Sequence, residues 1–400
     1  MRSKKTFGSR RMLKIAIVAS LVSAAWLPSA FAAPAVENGA DQAQVPSMVQ
    51  AQAIQSWHED MVRMAAPSEG CFQATFPSIL WKQVTCNQVQ PFSHPLPRRP
   101  DALTRFAESA GAGGTQTTGN GDDYAIEVSG LIKSATGTFP SVTGVTSEKS
   151  VGVAAFGGGG ILGPNEYTLQ VNSNYNKTTS ACKSHSGCTV WQQFIYSPDY
   201  STKGKAAVFI QYWLLGYGGS SCPSGFGSDG SGDCYKNSSA VTAPDVPATQ
   251  LANLKISGTA ATGGNDTVVF TNGTTAYTLS AKDSVLDLAS AWDQTEFNVV
   301  GNAGGSEAVF NSGSSITVNL AVSDGSTATP TCASNAGSTG ESNNLNLGSC
   351  TATGDHRRRS SSPSRTEHTR SQYAEIQLAR VEAEGRMRPS VFVSMPGNTI

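Results

Sequence analysis

The chain has 400 residues, 38% hydrophobic and only 14% charged, with a formal net charge of −1. So sparse and balanced a charge excludes the basic footprint of a nucleic-acid binder or an anionic-membrane binder. Forty-one glycines, with abundant Ser, Thr and Asn, predict an all-β protein rich in tight turns.

The N-terminus carries Arg2, Lys4, Lys5, Arg10, Arg11 and Lys14, followed by the apolar run Ile15–Leu27 and then Ala30-Phe31-Ala32. A basic start, an apolar middle and an A-x-A site predict a signal peptide over residues 1–32. The apolar run is too short for a comfortable membrane span, and no later run approaches the necessary length. The expected destination is therefore secreted or periplasmic, with no membrane span after cleavage.

Eight cysteines follow the cleavage site: Cys71, Cys86, Cys182, Cys188, Cys222, Cys234, Cys332 and Cys350. An even number in an exported chain implies disulfides. Sequential pairing is expected, because each cysteine then closes a short loop with its neighbour. Their spacings match no zinc pattern, and no cofactor is implied.

Residues 33–118 form a front section. The segment from Pro46 to Met64 predicts one amphipathic helix, with Val49, Ile54, Trp57, Met61 and Met64 near one face. A Cys71–Cys86 unit comes next, then the Pro-rich connector PFSHPLPRRP. This section reads either as a pro-segment or as a strap across the main body.

Residues 119–354 carry the main domain. Its strand candidates are DYAIEVSGLI, GVAAF, EYTLQVNS, TVWQQFIYS, AAVFIQYWLL, QLANLKISG, DTVVFTNG, TAYTLS, EFNVVG, SEAVFNSG and SSITVNLAVSDG. Many short strands separated by turn signals predict an antiparallel β-sandwich or jelly roll of concanavalin-like type, stapled by disulfides. Asn272-Gly273 and Asp324-Gly325 have hairpin-turn chemistry. One short helix, Ser284–Trp292 with Asp283 as its cap, is expected before the last strands.

Residues 355–400 differ from everything before them. No arginine lies between Phe106 and His356, yet Arg357, Arg358, Arg359, Arg365, Arg370, Arg380, Arg386 and Arg388 follow. Two readings stand open. One is a basic tail without regular structure. The other is a shifted reading frame, since HRRRSSSPSRTE can be encoded so that a two-base shift reads PPSIVFTESN and then a stop.

Several catalytic schemes find no support. No GxSxG is present, and Gly304-Gly305-Ser306-Glu307-Ala308 reads as a turn. His58, His94 and His185 lack ligand-like neighbours, and Gly157–Gly160 is not followed by the Lys-Ser/Thr of a phosphate loop. Asp229, Ser231 and Asp233 have calcium-loop spacing, but Cys234 and Ala240 stand where Gly and Glu are required.

What remains is amide within aromatic strands. Gln192 and Gln193 lie in TVWQQFIYS, and Gln211 lies in AAVFIQYWLL. Period-2 alternation puts Gln193 with Trp191 and Ile195, and Gln192 with Phe194 and Tyr196. Gln211 shares a face with Phe209 and Trp213, and Glu296 with Asn298 and Val300. Buried amides need partners, which here are a network, a ligand or a reaction.

The body from SWHEDMVRMAAPSEGCF to NSGSSITVNLAVSDG resembles a group of bacterial exported proteins, a likeness that carries no activity. Within it, YTLQVNS, VWQQFIYS, AAVFIQYWL and QTEFNVV are similar in order and spacing to strands of the glutamic peptidases, the eqolisins. That resemblance implies a β-sandwich acid protease with a Gln/Glu pair, here Gln193 and Glu296, and with Trp191, Gln211, Trp213 and Asn298 around the substrate. The chain departs from the family where YTLQVNS replaces its Trp-Val-Gly-Ile-Asp-Gly strand, and where Phe194 and Ile195 follow the glutamine. Two other readings stand beside this one. The amides and Glu296 are ordinary solvent-facing strand residues, or the protein is a non-catalytic glycan- or surface-binding module whose Trp213, Tyr212 and Tyr217 stack on sugars. The expected substrate is accordingly a protein or a glycan.

Overall fold

The protein is described by a computed structural model over residues 48–89, 123–152, 161–218, 221–230, 232–302, 306–333, 341–354, 374–376 and 379–382. The expected signal peptide, the Pro-rich connector and the strand expected at GVAAF after Gly152 lie outside these residues.

The front section holds helix α1 (Met48–Arg63) and strands β1 (Gly70–Thr75), β2 (Lys82–Val84) and β3 (Asn87–Gln88). Strands β4 (Tyr124–Glu127), β5 (Ser134–Thr143), β6 (Glu148–Gly152), β7 (Gly163–Pro164) and β8 (Tyr167–Ser173) follow. The aromatic stretch gives β9 (Thr189–Thr202) and β10 (Lys205–Leu215), then come β11 (Gly227–Ser228) and β12 (Cys234–Pro244). The second half supplies β13 (Leu254–Thr259), β14 (Asn265–Asn272), β15 (Thr275–Lys282), β16 (Gln294–Gly301), β17 (Ser306–Phe310) and β18 (Ser315–Ser323). Short strands β19 (Thr331–Ala333), β20 (Ser342–Asn343), β21 (Ala352–Thr353), β22 (Ala374–Ile376) and β23 (Ala379–Glu382) complete the series.

These strands make an all-β sandwich. A nine-stranded sheet runs β11-β12-β10-β9-β8-β16-β4-β19, with β3 on β12. A ten-stranded sheet runs β2-β1-β15-β14-β13-β5-β18-β22-β21, with β23 on β18. A small sheet, β20-β17-β6-β7, stands beside them; its β17–β20 pair is parallel and the other described pairs are antiparallel. Two segments of the arginine-rich tail, β22 and β23, thus pair with β18, although no strand pattern is legible in them.

The core lies between the two large sheets because alternate residues of each strand point inward. Phe194, Tyr196, Ile210, Phe297 and Val299 meet Phe139, Ile256, Val268, Phe270 and Leu320 there. Tyr196 stacks on Phe270 at 4.3 Å, and Phe139 lies 5.3 Å from Phe297. The sheets approach so closely that a Cβ on Gly137 would strike the Phe297 ring, and one on Gly258 the Phe194 ring.

Helix α1 packs on the outside of the ten-stranded sheet through Trp57, His58 and Met61, near Ala74 and Ala276. Val49, expected on the same face, is exposed instead. Strands β1 and β2 extend the ten-stranded sheet, while β3 joins the edge of the nine-stranded one. The front section is thereby paired into both sheets.

Four disulfides join Cys71–Cys86, Cys182–Cys188, Cys222–Cys234 and Cys332–Cys350, closing separations of 15, 6, 12 and 18 residues. They fit an extracytoplasmic protein. Among the described residues no helix is long and apolar enough to cross a membrane.

The helix expected over Ser284–Trp292 is instead two 3₁₀ turns, Asp283–Val285 and Leu288–Ser290. Asp287 between them adopts a left-handed conformation (φ 57°), which interrupts helical propagation. Asp283, expected as the cap, is instead the first residue of the first turn, and its Oδ1 accepts the Ala289 N–H at 2.9 Å, tying the two turns together.

Candidate functional site

Five neighbouring strands, β16, β8, β9, β10 and β12, set Glu296, Asn172, Gln193, Gln211 and Asn237 directly opposite one another in a single row. Residues directly opposite project from the same side of a sheet. The row therefore forms one polar stripe on the outer face, while Phe297, Val171, Phe194 and Ile210 point into the core. Gln193 and Glu296 lie on one face, two strands apart, with Asn172 between them.

Hydrogen bonds run along the stripe. Asn172 Nδ2 donates to Glu296 Oε1 at 2.9 Å and to Gln170 Oε1 at 3.3 Å. Gln193 Nε2 donates to the same Gln170 oxygen at 2.9 Å. The Trp213 indole N–H reaches Gln193 Oε1 at 3.1 Å and Gln211 Oε1 at 3.0 Å. Gln211 Nε2 donates to Asn237 Oδ1 at 2.7 Å, and Asn237 Nδ2 to the Tyr200 hydroxyl at 3.2 Å. An indole can only donate, so Trp213 turns both glutamine oxygens toward itself and their NH₂ groups away. It fixes the orientation of Gln193.

Apolar groups flank the stripe on both sides. Trp191, Trp213 and Leu215 cluster with Tyr175 and Tyr235 on one side. Ile195, Ala207, Phe209 and Ala240 pack with Val89 on the other, so the chain beyond β3 already sits on this face. Asn298 stands opposite Gln170 and accepts the Val299 N–H at 2.8 Å. The stripe is shielded from water, with Glu296 1% and Gln193 3% exposed.

The sequence-predicted residues separate into groups. Gln193, Glu296, Gln211 and Trp213 join one network, with Trp191 and Asn298 beside it. Gln192 belongs elsewhere: it faces the core and donates to Asp266 Oδ2 at 2.8 Å. Trp213, Tyr212 and Tyr217 are buried, and Tyr217 stacks against His185 at 3.8 Å, so none offers an open platform for a sugar. Sequence reading missed Gln170, Asn172 and Asn237. The signal for the first two was present in YTLQVNS, whose amides alternate with apolar residues at period 2.

Asp229 and Asp233 serve their turn. Asp229 accepts the Asp233 N–H at 3.0 Å, and Asp233 accepts the Gly216 N–H at 2.6 Å. Among the described residues no three His, Cys, Asp or Glu side chains are placed to hold a metal ion.

A second group of carboxyls gathers away from the stripe. The charge of Asp199 bears on both Glu166 and Asp245, and its backbone N–H donates to Asp245 Oδ1 at 3.4 Å. Burial, then the charge of Glu166, pushes Glu148 up to about 8. Burial and the charges of Asp199 and Asp245 push Glu166 up to about 7. Burial and Asp199 push Asp245 up to about 6.

Chemically, the stripe places a carboxylate beside fixed amide N–H donors. A carboxylate so placed can take a proton from water, and an amide N–H can stabilise a developing oxyanion.

No protein-family model matches the chain, and no curated protein matches it. Among solved structures, the chain is similar to the Scytalido-glutamic peptidase crystallised with a peptide based transition state analog. The two are 11% identical over 66% of this chain and 100% of that chain, with a TM-score of 0.28. The likeness is a distant one of fold.

Proposed function

We propose that the protein is a secreted, acid-acting hydrolase that cleaves polypeptides with Glu296 and Gln193. One observation supports this reading above the others: Glu296, Asn172 and Gln193 stand side by side on one face, joined by buried hydrogen bonds. Glu296 acts as the general base that activates water and then returns the proton to the leaving nitrogen. Gln193, oriented by Trp213, donates its amide N–H to the oxyanion. Asn172 holds Glu296 in place. Trp191, Gln211, Trp213 and Asn298 border the substrate.

Residues 1–32 act as the export signal and residues 119–354 as the catalytic body. The pairing of β1 and β3 into both sheets favours a strap for residues 33–118 over a free pro-segment. Because the stripe is shielded, this face must open before substrate enters.

The test incubates the purified protein, with and without acid pretreatment, with an unfolded protein substrate across acidic pH. Cleavage that disappears in Glu296→Gln and falls about 10²–10³-fold in Gln193→Ala supports the reading. Folded protein without cleavage at any acidic pH, before or after pretreatment, overturns it.

A further inference from the structure

Gln192 and Asp266 meet in the core from opposite sheets. Gln192 points inward from β9, directly opposite Tyr212 of β10. Asp266 points inward from β14, on the side of Val268 and Phe270. Gln192 Nε2 donates to Asp266 Oδ2 at 2.8 Å, and neither residue has exposed surface. This contact leaves three polar atoms stranded. Gln192 Oε1, Asp266 Oδ1 and the Tyr212 hydroxyl are buried with no hydrogen-bond partner among the described residues.

An ionised Asp266 does not suit this place. Its carboxyl has no cation within 4.0 Å among the described residues, and a buried charge without a counter-charge is strongly unfavourable. Asp266 Oδ1 and Gln192 Oε1 would then both be acceptors with nothing to accept. One proton on Oδ1 removes both faults. The neutral carboxyl donates its O–H to Gln192 Oε1, while Oδ2 goes on accepting the Gln192 N–H. An acid and a primary amide match edge to edge in this way, each giving one donor and one acceptor. Two titratable groups face Asp266: Asp283 of the first 3₁₀ turn and Tyr212 of β10. Burial first, then the charge of Asp283, raises the Asp266 pKa well above its ordinary value, against the Gln192 bond, which lowers it.

We propose that Asp266 is a carboxylic acid in the folded protein, paired with Gln192 through two hydrogen bonds, and that loss of its proton opens this lock between the two sheets. Deprotonation turns Oδ1 from donor to acceptor. It then faces Gln192 Oε1 with like partial charge, and the link between β9 and β14 falls to a single bond. A carboxyl raised on folding adds stability that is full below its unfolded value and is lost as pH rises through the folded one. The lock therefore favours a compact body in acid and a looser one in alkali. It acts in the core and is independent of the proposed peptidase activity.

Two measurements on the full chain test it. Infrared difference spectra of wild type against Asp266→Asn at neutral pH are expected to show a protonated-carboxyl C=O band that only the wild type has. An amide in place of the acid keeps the pair, with one N–H donating each way. Asp266→Asn should therefore fold in acid with a urea midpoint close to wild type. On going from acid to alkaline pH it should lose less stability than wild type, by about tenfold or more in the folding constant, the worth of one unit of pKa shift. Gln192→Glu sets a second carboxyl into the pair and should steepen the loss; should it fail to fold, Asp266→Asn alone decides. Absence of the protonated-carboxyl band, an Asp266→Asn chain that does not fold in acid, or an unchanged slope in either folded variant each overturns the proposal.

Discussion

Asn172 stands directly opposite Glu296 and donates its amide N–H to Oε1 at 2.9 Å, while its own Oδ1 is buried with no hydrogen-bond partner among the described residues. The side chain is committed as a donor to Glu296 and Gln170, and its acceptor is idle. A residue held this way serves its neighbours.

Removing that donor leaves a buried carboxylate short of a partner. Asn172→Ala is expected to lower stability by about 1–3 kcal/mol in urea denaturation. Asn172→Asp is expected to cost more at pH 7 than at pH 4, because two carboxylates then face each other. Equal losses at the two pH values would separate Asn172 from Glu296.

The carboxyl cluster gives stability a definite pH slope. Glu148, Glu166 and Asp245 have folded values near 8, 7 and 6, all above their ordinary carboxylate values. Groups raised on folding favour the native state below the unfolded value, and that contribution is lost as pH rises through the folded one. The body should be more stable at pH 4 than at pH 8, with the loss spread from about pH 4.5 upward. Glu148→Gln should flatten the slope. Midpoints that rise from pH 4 to 8 would contradict this.

His58 works in the opposite sense. Its Nε2 lies 2.5 Å from the Gly273 carbonyl, and its Nδ1 is buried with no partner among the described residues. Burial, with the charge of Lys255 adding to it against the Gly273 bond, depresses its pKa to about 4. A depressed group favours the folded state above its unfolded value, and that contribution is lost as pH falls toward the folded one. The docking of α1 should therefore loosen between about pH 6.5 and 4 while the sheets hold. Hydrogen exchange resolved by segment measures this: faster exchange in 48–63 at pH 4, after correction for intrinsic rates, and none of that gain in a folded His58→Phe variant.

Gly258 faces the Phe194 ring so closely that a Cβ has no room. Gly258→Ala should cost about 1–3 kcal/mol through overpacking, although it adds only one methyl group. Gly263→Ala makes a contrasting control: that glycine has φ +66° and open space, so its cost is backbone strain. A double variant with Phe194→Leu should recover part of the Gly258 loss, and additive losses would show that the ring is not the obstacle.

Much of the architecture is legible locally. Alternation in YTLQVNS, TVWQQFIYS and EFNVVG follows from the period of the strand, and these segments are β8, β9 and β16. Two central strands are not legible this way. SATGTFPSVT and CYKNSSAVTAP form β5 and β12, yet Gly137, Pro140 and the Ser/Asn-rich first half of β12 hide any apolar alternation. Their neighbours decide them: β5 lies between β13 and β18, and β12 pairs with β10.

The sequence by itself determined the all-β class, the spacing of cysteines that closes short loops, and the opposite orientations of Gln192 and Gln193. Tertiary structure alone decided which side met the core. It turned Gln192 inward to Asp266 and left Gln193 on the outer face. It also brought Glu296 beside Asn172 across 124 residues. Periodicity is a property of one strand and is written in its own residues. Strand order is not, because it depends on which apolar faces bury one another once the whole chain has collapsed.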